Sequence, residues 1–226
     1  MGVTMKDLAK ELGVSIVTVS KSLADKEGVS ESVRQQVKEL ARKRGYRMNR
    51  VARQLRQGNT QNIGILLSES FGRGPETFYW SVHSQLSLQL TQLNYTSILE
   101  IVSSSMEKEK KLPCMLQQNK VDGIIVLGQI SDEYLSFLNE QSVPFILLDF
   151  YTDNEKYLSV TTNNFQSSFI STSYVISCGH KDIGFLGNIR HSTSSIQDRF
   201  LGFYKAMLEH DLPIRDEWII NDRTDR

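Results

Sequence analysis

The stretch Gly13-Val-Ser-Ile-Val-Thr-Val-Ser-Lys-Ser-Leu23 decides how the first part of this chain is read. It is rich in β-branched residues (Val14, Ile16, Val17, Thr18 and Val19), and propensity alone favours a strand. A strand would turn the neighbours Ile16 and Val17 to opposite faces. A helix capped by Ser15 does otherwise. It sets Val19 and Leu23 on one side, four residues apart, and leaves Ile16 and Val17 in the first turn, away from that side. The flanking sequence supports the helix. Upstream, Thr4 and Asp7 have the spacing of a capping box, with the shorter Asp in place of Glu. Leu8, Ala9 and Leu12 then give one apolar side, and Gly13 ends the helix. Downstream, Ser30 opens a third helix whose Val33, Val37, Leu40 and Ala41 form one stripe. Arg42, Lys43 and Arg44 suit the negative end of its dipole, and Gly45 stops it.

Two short helices joined through Gly and followed by a bracing helix make a helix-turn-helix unit. The second helix of such a unit is its reading element. Its first turn can enter a major groove, where apolar side chains meet thymine methyl groups. Charge points the same way. The whole chain balances 26 Lys/Arg against 26 Asp/Glu. Residues 1–60 carry thirteen basic and six acidic side chains, a net of +7, and residues 61–226 carry thirteen and twenty, a net of −7. Such a split is expected when one small domain meets a polyanion and the other does not. The next segment, Asn-Arg-Val-Ala-Arg-Gln-Leu-Arg-Gln-Gly-Asn-Thr-Gln-Asn (residues 49–62), places Arg50, Arg53 and Arg56 beside Val51, Ala52 and Leu55. About two helical turns are too short to stand alone in water. The segment therefore fits a hinge that orders on contact with DNA, followed by a linker, and composition leaves open an ordinary linker whose arginines are merely solvated.

From residue 63 the texture changes. Short β-rich runs at 63–67, 96–102, 123–127, 144–150, 182–186 and 218–220 alternate with helical patterns at 78–93, 105–119, 132–141, 163–178 and 195–210. That alternation predicts a doubly wound parallel sheet with helices on both faces, with Pro113 kinking or restarting its helix. Ligands in such sheets bind beyond the carboxyl ends of the strands, in the loops after Leu67, Leu127, Phe150 and Leu186. Phe78, Tyr79 and Trp80 are consecutive at a helix start. They cannot all face the core, so at least one is expected in the cleft, where rings stack on sugar or base faces.

No run approaches a membrane span, and the N-terminus lacks a signal peptide, so a cytoplasmic protein is expected. Cys114 and Cys178 have no partner motif and are expected as reduced thiols, with no metal site. The sequence contains no GxGxxG, Walker A, GxSxG or HExxH motif. His83, His180, His191 and His210 are scattered, and nothing near Asp149 completes a catalytic constellation, so neither enzyme chemistry nor a cofactor is expected.

The chain resembles the LacI/GalR family of bacterial transcription regulators. The resemblance is carried by VTMKDLAKELGVSIVTVSKSL (3–23), VSESVR (29–34), GYRMNRVARQLR (45–56), VDGIIV (121–126), VPFILLD (143–149), CGHKDIGFLG (178–187) and RFLGFYKAM (199–207). It implies a helix-turn-helix domain at 1–48, a hinge helix and linker at 49–61, and an effector-binding domain at 62–226. That domain would resemble periplasmic sugar-binding proteins, with a first lobe at about 62–158 and part of a second at about 159–226. The resemblance places Thr4, Ser15, Thr18 and Ser30 on DNA phosphates and Ile16, Val17 and Lys21 on bases. It assigns Asn49, Arg50, Arg53 and Leu55 to the hinge, with Leu55 as a minor-groove wedge. Phe78 and Tyr79 on the first lobe, and Ser195 and Arg199 on the second, fall at effector positions. The implied partners are a palindromic double-stranded operator, a second copy of the chain, and a small molecule, sugar first and nucleobase or nucleoside next. Met48 replaces the usual Pro before the hinge, VTTN (160–163) replaces Val-Asp-Asn, and GRGPE (72–76) replaces the Ser-Asn-Pro approach. The family's remaining second-lobe strands are not present before Arg226, so an incomplete second lobe is expected. The competing expectations are a sugar-binding protein without DNA activity and a shortened regulator that binds DNA weakly or only beside a full-length copy.

Overall fold

The computed structural model describes residues 3–46, 59–72, 78–187 and 193–221. The chain divides into two compact units, Met1–Gly58 and Asn59–Arg226.

In the first unit, α1 (Met5–Leu12), α2 (Ile16–Leu23) and α3 (Glu31–Lys43) follow the expected caps. The capping box closes on α1, where the Asp7 carboxylate takes the Thr4 N–H and the Thr4 hydroxyl takes the Asp7 N–H. Gly13 sits at φ +64°, in the left-handed region, and its N–H returns to the Ala9 carbonyl, so the chain can turn directly into α2. Leu8, Ala9, Val19, Val37 and Ala41 form the buried centre, with Leu12, Leu23, Val33 and Leu40 packed around it. An ion pair from Arg44 to Glu11 (2.9 Å) joins the end of α3 to α1, and Asp25 bridges Arg34 (3.3 Å) and Lys38 (2.5 Å).

The second unit contains a five-stranded parallel sheet in the order β2-β1-β3-β4-β5. Its strands are β1 (Asn62–Ser68), β2 (Thr96–Val102), β3 (Gly123–Leu127), β4 (Phe145–Leu148) and β5 (Ser159–Val160). The near-continuous apolar run of β1 has a simple cause: both faces are covered. Leu66 joins Val126, Leu147, Tyr134 and Leu135 on one face, while Ile65 and Leu67 join Phe71 and Leu127 on the other. The covering helices are α4 (Glu69–Gly72), α5 (Phe78–Gln92), α6 (Ser104–Glu109), α7 (Cys114–Gln117) and α8 (Asp132–Asn139). The helical pattern at 105–119 is interrupted: α6 ends at Lys110 (φ +50°), and Pro113 caps a new helix, α7. The Glu100 carboxylate receives the first two amides of α7, from Cys114 (2.7 Å) and Met115 (3.0 Å). β5, which has no signature in the sequence pattern, pairs with β4, so the first sheet extends through Val160.

Beyond it, α9 (Asn164–Ser177) and α10 (Ser194–Glu209) pack together beside a second parallel sheet of β6 (Phe185–Leu186) and β7 (Ile219–Ile220). The expected strand at 182–186 is thus reduced to its last two residues. Gly202 permits the close crossing of α9 and α10, because a Cβ there would lie 2.2 Å from the Phe165 carbonyl oxygen. The rings of Phe185, Phe200 and Phe203 fill the space alongside. Cys114 and Cys178 are free and exposed. Among the described residues no helix is long and apolar enough to cross a membrane.

Candidate nucleic-acid interface and effector cleft

On the first unit, the cap of α2 shapes the reading surface. The Ser15 hydroxyl accepts the Thr18 N–H (3.0 Å) and lies 2.8 Å from the Thr18 hydroxyl. Val19 is fully buried beneath this turn, while Ile16 and Val17 stand 49% and 64% exposed. Two adjacent apolar side chains held outward by a capped first turn can meet base edges without leaving a hole in the core. Lys21 is half-buried, and its ammonium lies over Gly28, where a Cβ would come within 3.0 Å of Nζ. Thr4 and Ser30 cap α1 and α3. The Thr4 hydroxyl proton is directed to Asp7 (2.7 Å), and the Ser30 hydroxyl takes the Val33 N–H at 3.5 Å. The hydrogen bonds from Thr4 hold the Asp7 carboxyl below the usual carboxylate range, and those from Lys38, then Arg34, do the same for Asp25. Helix amino ends with hydroxyl caps suit phosphate oxygens. Arg34 is engaged internally with Glu31, Asp25 and the Lys26 carbonyl. The hinge residues Asn49, Arg50, Arg53 and Leu55, together with Met48 and residues 73–76, lie outside the described residues.

On the second unit, the strand-end loops gather polar and aromatic groups. The Tyr79 hydroxyl donates to the Asp149 carboxylate at 2.9 Å, beyond the carboxyl end of β4. Asp149 itself takes φ +70°, an unusual conformation for a residue with a side chain. Phe71 and Phe78 flank Tyr79, with ring centroids 5.0 and 5.2 Å away, and Phe78 is 61% exposed. Trp80 turns to His83 instead, edge to face.

The loops after β3 and β4 also reach the start of α10. The Ser194 N–H donates to Gln129 Oε1 (3.1 Å), the Tyr151 N–H donates to Ser194 Oγ (3.1 Å), and the Tyr151 hydroxyl donates to Asp198 (2.7 Å). The Asp198 carboxylate, and then burial, push the Tyr151 phenol up to about 12. Ser195 is buried, with its hydroxyl 3.0 Å from that of Thr193. Arg199 Nε donates to the buried Asn164 (2.9 Å) and borders a hollow of about 380 Å³ with Ser167, Ser171, Phe185, Gly187 and Ile196.

The structure therefore brings Phe78 and Tyr79 together at the first sheet, and puts Ser195 and Arg199 on α10. Sequence reasoning passed over Gln129, Tyr151, Asn164 and Asp198. The first two do lie in strand-end loops that topology singles out. Exposed rings, hydroxyls, amides and a guanidinium are the groups that hold polyhydroxylated or heteroaromatic molecules.

Two family models match. "Bacterial regulatory proteins, lacI family" covers residues 4–49, and "Periplasmic binding proteins and sugar binding domain of LacI family" covers residues 60–226. The HTH-type transcriptional regulator RegA of Clostridium saccharobutylicum is 34% identical over 98% of this chain, which spans 66% of that protein. The HTH-type transcriptional repressor PurR of Yersinia pestis is 30% identical over 96% of this chain, which spans 63% of it. Among solved structures, the lac repressor dimer bound to operator and the anti-inducer ONPF superposes with TM-score 0.74 at 24% identity, covering 94% of this chain and 64% of its own. The CelR–cellobiose complex superposes with TM-score 0.64 at 21% identity, covering 97% and 65%. The chain thus spans about two thirds of the length of these relatives. With a lacI-type reading head matched at one end and the family's ligand-binding domain over the rest, the chain belongs to the LacI family of bacterial regulatory proteins.

Proposed function

We propose that the chain acts in a transcriptional repressor that reads a roughly palindromic duplex as a homodimer and responds to a small molecule held by its α/β domain. The observation that carries this is the outward pair Ile16 and Val17 on a capped first turn, above a buried Val19. In this reading residues 1–48 are the DNA-binding domain and 49–61 the hinge and linker. Residues 62–226 hold the ligand, divided into lobes near residue 158. Thr4, Ser15, Thr18 and Ser30 position the head on phosphates, and Ile16, Val17 and Lys21 specify bases. Asn49, Arg50, Arg53 and Leu55 contact the DNA from the hinge, with Leu55 as a minor-groove wedge and the two hinges of the dimer working as a pair. The protein works in the cytoplasm, where the duplex is.

For the ligand, Phe78 and Tyr79 supply stacking faces, and Ser195 and Arg199 supply hydrogen bonds. The family's ligand domain is described as sugar-binding, and CelR holds cellobiose, so a sugar is the first choice. A nucleobase or nucleoside is second, because flat rings stack on aromatic side chains equally well. Ligand and DNA affect one another reciprocally: a ligand that favours the DNA-binding arrangement tightens operator binding, one that opposes it loosens operator binding, and in either case DNA changes that ligand's affinity by the same factor. The test has two arms. Duplex selection from a random pool should enrich a palindrome, and a thermal-shift panel of sugars and nucleosides should raise the melting point with one class. A pool that stays random at low salt overturns the regulator reading.

A further inference from the structure

At Thr60 and Gln61 two consecutive backbone amides are held by one carboxylate. The Thr60 N–H donates to Asp122 Oδ1 at 2.6 Å, and the Gln61 N–H donates to Asp122 Oδ2 at 2.8 Å. Gln61 sits at φ +54°, in the left-handed region. Two consecutive amides thus meet one carboxylate, a concave pair of donors of the kind that binds anions. The backbone completes the joint. The Asp122 N–H donates to the Asn62 carbonyl (2.9 Å), the Thr96 N–H donates to the Gln61 carbonyl (2.9 Å), and the Asn62 amide donates to the Lys120 carbonyl (2.8 Å). Residues 60–62 are thus tied to the starts of both β2 and β3.

The position of Asp122 gives the joint its meaning. It immediately precedes β3, which is paired on both sides, with β1 and with β4. Just past the other end of β3 lies Gln129, whose side chain receives the first amide of α10. One strand of five residues, about 17 Å long, therefore carries the α10 contact at its carboxyl end and the Asp122 carboxylate at its amino end. It is hydrogen-bonded along both edges, to β1 and to β4.

We infer that Asp122 is a positioning residue that couples the ligand end of the domain to the DNA-reading head. It holds residues 60 and 61 to β3, so that a displacement of β3 is passed to the segment leading to the head. This rests on the regulator reading above. A joint serving local stability alone would affect melting but would not separate specific from non-specific DNA binding.

The test uses the full chain with Asp122→Asn, which turns an amide toward the two N–H groups. Asp122→Ser, which keeps one acceptor, is the second variant in case the first does not fold. Exchange of the Thr60 and Gln61 amides should speed up about tenfold, with the amides of residues 65–67 still protected. Affinity for a palindromic duplex enriched by the unaltered chain should change about tenfold, with affinity for unselected duplex of equal length unchanged. Unaltered exchange overturns the inference. So does faster exchange with unaltered specific affinity, which would leave Asp122 a local fastener. If the unaltered chain enriches no duplex, the regulator reading fails and takes the coupling role with it. The exchange arm still reports separately whether the joint exists.

Discussion

Val17 and Leu8 show how differently two apolar residues of one small unit act. Leu8 is fully buried at the centre of the three helices. Leu8→Ala should cost about 2–5 kcal/mol, enough to unfold so small a unit, and thermal melting followed by far-ultraviolet circular dichroism would show it. Val17 points outward, and Val17→Ala should change stability by no more than about 0.5 kcal/mol. On the proposed reading its effect falls on sequence preference: re-selected duplexes should relax at one position of each half-site, by about 1 kcal/mol. Tyr151 gives a pH-dependent case. Its phenol is raised from the ordinary 10 to about 12, chiefly by the Asp198 carboxylate. The unfolded chain loses this proton first, so the contribution is whole below pH 10 and fades as pH rises toward 12. Tyr151→Phe should melt lower than the unaltered chain at pH 8, and the gap should close between about pH 10 and 12.

At the level of elements, the crossing of α9 and α10 is the most sensitive joint. The atoms facing Gly202 are the Phe165 carbonyl and the Phe169 nitrogen, both main-chain, so the neighbour cannot rotate away. Gly202→Ala should destabilise the α/β unit by about 3 kcal/mol, the upper end of overpacking costs, read from the urea midpoint at constant slope. Elements were legible in the sequence where a single physical signal dominates. The runs at 63–67, 96–102 and 123–127 match β1, β2 and β3 within a residue: β1 and β3 lie inside the sheet and are apolar almost throughout, whereas β2, at the edge, is marked by its β-branched residues. Pro113 marked the break between α6 and α7, since it cannot donate to the preceding turn. β5 was not legible: two residues carry no period, and only the presence of β4 makes them a strand. β6 is shorter than the run at 182–186 because pairing begins only where β7 begins, after the helical turn Asp216–Trp218. For the candidate site, the aromatic start of α5 could be read directly. The contacts of Tyr151 with Asp198 and of Gln129 with Ser194 join residues 47 and 65 apart and arise only when the loops meet.

For the whole molecule, the opposed charges of the two parts make a salt prediction. If the basic part neutralises about six phosphates, specific affinity should fall about a thousandfold between 50 and 200 mM salt. Fluorescence anisotropy on a selected duplex would measure the slope, and a flat response would show that charge does not drive binding. The division of the chain at Gly58 and Asn59 also has a practical consequence. Thr60 and Gln61 are knotted to Asp122, whereas the three helices of the first unit have their own core, which Tyr46 joins. Anyone building hybrid regulators from this scaffold should therefore cut upstream of Asn59. A foreign head grafted there inherits the native socket, while a splice a few residues later removes the plug that fits it.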